Sequence, residues 1–293
     1  MKTNSAKAWL LASRPKTLAG AAVPVMIALA LAWADGGREG FKLFPAVLCM
    51  LFALVMQVDA NFINDYFDFK KGVDDEQRLG PKRACAQGWV TLGAMSKAIL
   101  FTTAMACLIG LPLVAYGGWA MVAVGAACVL FCFLYTTHLS SRGMGDLLVL
   151  VFFGLVPVCA TYYLQHQKVT AEVVTAAFAC GLVIDTLLVV NNYRDRVNDE
   201  MKGKVTLVVR IGERATEWLF LALGVVACLM GVVFLVGGRP WAFILPLAYL
   251  ALHVGTWRRM VRINNGRRLN DILGENARNM TAYGILTTIG LLL

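Results

Sequence analysis

Apolar stretches of about twenty residues, long enough to cross roughly 30 Å of hydrocarbon as a helix, recur along the whole chain with short polar breaks between them. Nine are read, at approximately 17–34, 44–66, 96–115, 118–138, 146–164, 170–192, 216–236, 240–257 and 278–293. Inside a bilayer no water pairs with the backbone, so each stretch must close its own hydrogen bonds, which a helix does. Of the 293 residues 59% are hydrophobic and only 15% charged, which excludes an ordinary soluble domain. The expected fold is an all-α polytopic membrane protein, a single transmembrane domain over 1–293 with about nine helices.

The distribution of the 27 Lys and Arg sets the orientation. With the N-terminus in the cytoplasm, all of them except Arg38, Lys42, Lys168 and Arg239 fall on the cytoplasmic side, as the positive-inside rule requires. The net charge of +9 therefore reports topology, and no nucleic-acid partner is expected. Met1 to Lys16 is polar and basic and leads into a long apolar run, so no cleavable leader is evident and the first span is expected to be retained. The eight cysteines form no CxxC pair, and His138, His166 and His253 have no ligand spacing, which argues against a zinc site.

Two polar clusters stand out at span ends. The first, ANFINDYFDFKKGVDDEQRLGPKR over 60–83, closes the second span. If that span continues as one helix, Asn61, Asn64/Asp65 and Asp68 fall at i, i+3/i+4 and i+7 and share a face. The second, DTLLVVNNYRDRVNDEMKGKVT over 185–206, closes the sixth span and puts Asn191, Asp195 and Asp199 on one stripe. Acids at the edge of an apolar run are functional candidates. Amide and carboxylate oxygens suit Mg²⁺, which phosphate-handling enzymes hold with one or two carboxylates plus the substrate's phosphate. Asn64, Asp65, Asp68, Asn191, Asp195 and Asp199 are the expected metal ligands, with Asn61 as a possible addition. Lys70, Lys71, Arg78, Lys82, Arg83, Lys202 and Lys204 follow the two clusters and are expected to meet the phosphate. Asp59 and Asp185 lie deeper and are read equally as ligands, structural acids or proton-path groups.

The repeated arrangement suggests two halves, about 1–145 and 146–293, each giving one wall of a single site. The polar segments 68–95 and 194–214 are expected to cap it on the cytoplasmic side. Paired acids beside a membrane also suit an ion-coupled transporter, although a transport site belongs near the midplane.

NDYFDFKKGVD followed by NNYRDRVND resembles the UbiA-type intramembrane prenyltransferases, marked by NDxxD on the second helix and DxxxD on the sixth. RPKTL near the start, LVVNNYRD, the GKxTLxVRxG run from Gly203 to Gly212 and Leu269-Asn270 are most similar to the branch that prenylates 1,4-dihydroxy-2-naphthoate in menaquinone synthesis. The resemblance implies nine helices around a central cavity, two Mg²⁺ ions, a polyprenyl diphosphate donor and an aromatic acid acceptor in a bacterial cytoplasmic membrane. It also implies that Asp65, Asp68, Asp195 and Asp199 are catalytic, and that Arg14, Tyr135 and Arg142 contact the acceptor or the prenyl cation. The chain departs from the pattern at Gly72, where a longer motif would have Asp, which leaves Asp74 as a possible further ligand by the resemblance alone. It departs also at Asn191, at Asp146 in place of Glu, and at Asp59 and Asp185, where small neutral residues are usual. Another aromatic acceptor, such as 4-hydroxybenzoate, stays open.

Overall fold

The computed structural model describes residues 1–72 and 79–293, so Asp74 and Arg78 lie outside the described residues. Every regular element among the described residues is helical. A short helix α1 (Ala6–Ser13) precedes α2 (Leu18–Gly40), α3 (Leu43–Lys70), α4 (Leu92–Gly110) and α5 (Ala120–Leu134). Then come α6 (Gly145–His166), α7 (Ala171–Met201), α8 (Leu207–Met230), α9 (Leu247–Ile263) and α10 (Leu269–Leu292). The seven helical stretches that contain α2 to α8 are long and apolar enough to cross a membrane, and α9 and α10 bring the described long helices to the expected nine. This is an integral, multi-pass membrane protein. Ser5, Thr91, Thr170 and Thr206 cap helix starts by accepting the amide three residues on, which satisfies a donor that has no intrahelical partner.

The helices run further into polar sequence than the apolar runs suggest. The last one begins at Leu269 rather than near 278, because its polar side chains turn inward. Asn276 and Asn279 are buried and donate to Thr186 and Thr256, at 2.8 Å each, the interhelical bonding that lets a polar stretch sit inside a membrane bundle. The expected cap over 194–214 is mostly helix as well: α7 continues to Met201 and α8 starts at Leu207.

Helix α7 is the central post, packed against α2, α6, α8 and α10. Of its membrane window 67% is buried, against 6% for the helix that contains α5, which therefore lies at the margin. Lipid tails are as apolar as leucine, so close backbone approach rather than hydrophobic burial joins such helices. Gly154 and Gly181 provide it: a Cβ on Gly154 would lie 2.6 Å from the Ala177 carbonyl oxygen. At one end of the bundle α1 and the segment 79–91 form a thin layer over α3 and α4. Ala8, Phe62, Ile63, Ala84, Val90 and Met95 cluster there, and Asn4 pairs with Trp89 and Thr91 at 2.8 and 3.1 Å.

Candidate active site

Helix α3 runs unbroken through the first motif, so its polar side chains share one helix end but meet different neighbours. Asn61 is buried and donates through Nδ2 to the Ser13 carbonyl and the Thr17 hydroxyl, both at 2.9 Å, which fixes the turn between α1 and α2. Asp65 is 1% exposed; its two oxygens accept the Ala84 and Cys85 amides at 2.8 Å each, and Oδ2 lies 3.9 Å from Arg14 Nη2. Backbone donors and a guanidinium together stabilise a buried carboxylate. Asp68 accepts from Arg83 Nη2 at 3.0 Å. Asn64 accepts the Thr136 hydroxyl, while Lys71 Nζ donates to the Thr136 and Thr137 carbonyls at 3.0 and 2.7 Å. Those threonines belong to Tyr135–Leu139, a π-helical turn that ends α5; such turns are frequent at functional sites.

The second motif is organised by Arg194, whose side chain has no solvent exposure. It donates to Asp195 from Nε and Nη2 at 2.9 and 2.6 Å, to Asn191 Oδ1 at 2.7 Å and to Asn270 Oδ1 at 2.9 Å. Asn270 in turn donates to the Leu79 carbonyl at 2.8 Å. Asp199 is buried near the end of α7 and pairs with Lys204 Nζ at 3.1 Å.

These contacts place both motifs beneath one segment. Leu79 is held from the second motif through Asn270, Arg83 from the first through Asp68, and Ala84 and Cys85 through Asp65. Leu79 and Arg83 are at most about 14 Å apart even fully extended. The end of α5 makes a second bridge. The Val205 amide donates to Ser141 O at 3.1 Å and Arg210 to Arg142 O at 2.8 Å. Gly143 between them has φ 76°, and a Cβ there would lie 3.1 Å from Val205 O. The Tyr135 ring lies within electrostatic reach of Asp68, Arg83, Asp146 and Asp185.

Of the expected phosphate-binding cations, Arg83 and Lys204 meet motif acids, and Lys71 turns to α5. Lys70 lies 5.7 Å from the Tyr66 ring centre and is exposed, as are Lys82, Lys202 and Arg142. Among the described residues no three His, Cys, Asp or Glu side chains are grouped to hold a metal by themselves. Sequence reasoning gave no role to Arg194, Asn270 or Thr136. An arginine at the edge of an apolar run, where a lone charge is costly, was the available signal for the first.

The family model described as "UbiA prenyltransferase family" matches residues 21–277. The chain belongs to the UbiA prenyltransferase family. It is 37% identical over 216 residues, covering 71% of this chain and 69% of the relative, to 1,4-dihydroxy-2-naphthoate octaprenyltransferase of Escherichia coli (strain K12). The Haemophilus influenzae protein of the same name is 31% identical across 98% of this chain and 96% of its own length. Among solved structures, the apo UbiA homolog from Aeropyrum pernix K1 superposes with a TM-score of 0.68 at 15% identity, covering 94% of this chain and 96% of that one. A UbiA homolog from Archaeoglobus fulgidus bound to DMAPP and Mg²⁺ gives 0.63 at 15% identity, covering 96% and 99%. These two likenesses concern the fold. Family membership makes the chain a prenyltransferase and displaces the transporter alternative.

Proposed function

We propose that this protein transfers a polyprenyl chain from an isoprenoid diphosphate to 1,4-dihydroxy-2-naphthoate with loss of carbon dioxide, giving demethylmenaquinol. The observation that carries the reading is the shared segment 79–85, held by Asp65 and Asp68 from one motif and through Arg194 and Asn270 from the other. Two sets of hard oxygen donors under one segment suit a diphosphate that both sets grip. The names and 31–37% identities of the relatives support the acceptor.

The donor set fits Mg²⁺, since amide and carboxylate oxygens in small number leave positions for phosphate oxygens. Asn64, Asp65 and Asp68 would hold one ion, and Asn191, Asp195 and Asp199 a second. Asp65 would join with an oxygen that already accepts the Ala84 or Cys85 amide, since a carboxylate oxygen has two lone pairs. Bound Mg²⁺ supplies positive charge to the leaving diphosphate. The chain's own part is positioning and shielding. Arg83 and Lys204 now occupy Asp68 and Asp199 and stand ready to turn to phosphate oxygens, joined by Lys70, Lys71, Lys82 and Lys202; Arg78 belongs to the same set by sequence. The layer made by α1 and 79–91 keeps water from the prenyl cation, which would otherwise be lost as an alcohol. Arg14, which faces Asp65, and Arg142 are the cations assigned to the acceptor's carboxylate, and Tyr135 is assigned to stack on its ring. We place the site on the cytoplasmic side of a bacterial inner membrane, with 1–145 and 146–293 each giving one wall.

The test is the purified protein in lipid vesicles with one isoprenoid diphosphate and a panel of aromatic acceptors. Product is expected with dihydroxynaphthoate, lost on adding EDTA and restored by Mg²⁺. A preference for 4-hydroxybenzoate, or turnover unaffected by EDTA, overturns the reading.

A further inference from the structure

Two acids outside the motifs hold shielded carboxylate oxygens without satisfaction. Both carboxylate oxygens of Asp146 and Oδ1 of Asp185 are shielded from solvent and have no hydrogen-bond partner among the described residues. Asp185 is 6% exposed. Asp59, equally deep, differs in kind, because the Thr102 and Thr103 hydroxyls both donate to it. A buried polar group is normally paired, and one that is not calls for an explanation. Two neighbouring carboxyls also cannot both ionise cheaply. A structure that keeps such a pair is missing a partner for it.

The surroundings say what that partner is. Asp146 lies in the first turn of α6 and Asp185 on α7, within the field of Asp146. From Asp185 to Asn191 is six residues, about 9 Å along the helix axis, so the pair sits one step deeper than the second motif. Tyr135 of the α5 turn lies in the field of both acids, as it does in that of Asp68 and Arg83. The absence of a side chain at Gly145 lets the elements close up: a Cβ there would lie 3.8 Å from Tyr135 Oη and 3.2 Å from Leu188 Cδ2. An aromatic ring, two carboxyls short of hydrogen-bond partners and the first motif thus adjoin. That set is complementary to a flat aromatic molecule with ring hydroxyls.

We propose that Asp185, with Asp146 opposite it, accepts the proton of the ring hydroxyl of the aromatic substrate, while Tyr135 faces the ring toward the diphosphate. The inference rests on the prenyl-transfer reading above and assigns the acceptor's subsite within it. As the donor's C1–O bond breaks, its electron pair leaves with the diphosphate. The ring carbon that bears the carboxylate forms the new C–C bond to C1, the adjacent hydroxyl proton passes to the Asp185 carboxylate, and that oxygen becomes a ketone. The result is a β-keto carboxylate. Its C–CO₂ bond then breaks, the electron pair restores the aromatic ring, and the oxygen takes the proton back from Asp185. No proton or electron is gained or lost overall, so no further reactant is needed.

The test compares the parent protein with Asp185→Asn and Asp185→Glu in Mg²⁺-loaded lipid vesicles, with dihydroxynaphthoate and an isoprenoid diphosphate across pH. General-base removal is worth roughly 10²–10⁴-fold. Asp185→Asn is therefore expected to lower kcat at least about 100-fold at neutral pH with an unchanged donor KM, and to lose less at alkaline pH, where the acceptor's hydroxyl ionises unaided. The thermal midpoint is expected to stay level or rise, since an unpartnered carboxyl is replaced by a neutral group. Asp185→Glu keeps the base and is expected to restore part of the rate. The titratable group whose field reaches Asp185 is Asp146, and Tyr135 lies in the field of both acids and of Asp68 and Arg83; none of these changes in the variants. An unchanged kcat, a loss equal at every pH, or a fall in thermal midpoint that parallels the loss of rate overturns the proposal. Failure of the parent protein to prenylate dihydroxynaphthoate would instead overturn the functional reading beneath it.

Discussion

Replacing Arg194 by Met tests whether the second motif holds down the segment over the site. The guanidinium makes four charge-assisted hydrogen bonds of 2.6–2.9 Å, two to Asp195 and one each to Asn191 and Asn270. Removing one side of a buried ion pair costs about 3–5 kcal/mol, because the partner is left without compensation. Water recovers part of that here, since the Asp195 side chain is 19% exposed, and we take about 3 kcal/mol, the low end of the range. Asn270 passes the loss to the Leu79 carbonyl. If it falls on local opening, about 3 kcal/mol is a roughly 100-fold larger open population of 79–83. Trypsin cleavage after the exposed Lys82 in vesicle-reconstituted protein reads that population when closing is fast relative to cleavage. The expected result is cleavage about 100-fold faster, with Arg194→Lys in between, because an ammonium keeps the charge and loses the planar fork. Cleavage of Arg194→Met at the parent's rate would refute the reasoning.

Asp68→Asn and Asp195→Asn are each expected to abolish Mg²⁺-dependent pyrophosphate release, the second with a lower thermal midpoint because it leaves the buried Arg194 guanidinium without its carboxylate; full activity in either purified variant removes that residue from the metal set. At the opposite end of the bundle, Arg239 bridges Asp35 and Glu172. Arg239→Leu leaves two acids facing one another and is expected to cost about 2 kcal/mol, less than a fully buried pair because all three side chains are 21–25% exposed. Differential scanning fluorimetry should show a lower midpoint with the donor KM unchanged, and an altered KM would mean that the two ends are coupled.

The membrane class, the helix count and the motif helices were legible because lipid imposes one length scale and one backbone solution. Where the chain misled, it did so through side chains that turn inward. The Asn-rich start of α10 reads as loop until Thr186 and Thr256 are seen to accept its amides. Asp65 illustrates a different limit. The i, i+4 spacing marks it as a ligand, yet its oxygens accept the Ala84 and Cys85 amides, and backbone donors leave no trace in residue identity. Arg194 was hidden between two motif residues, where it reads as one more surface cation. The unmet need of Asp146 and Asp185 is a property of what surrounds them, which no spacing encodes.

The seven residues from Leu79 to Cys85 are clasped from two helices at once, and this has a kinetic corollary. Letting go at one clasp recovers little chain freedom while a charged contact is forfeited, so the clasps favour release together. Traffic of the pyrophosphate head to water is then intermittent, in discrete openings, while the greasy tail stays in the lipid and never has to pass the latch. Turnover paced by such openings would slow with tighter clasping even when bond making is untouched.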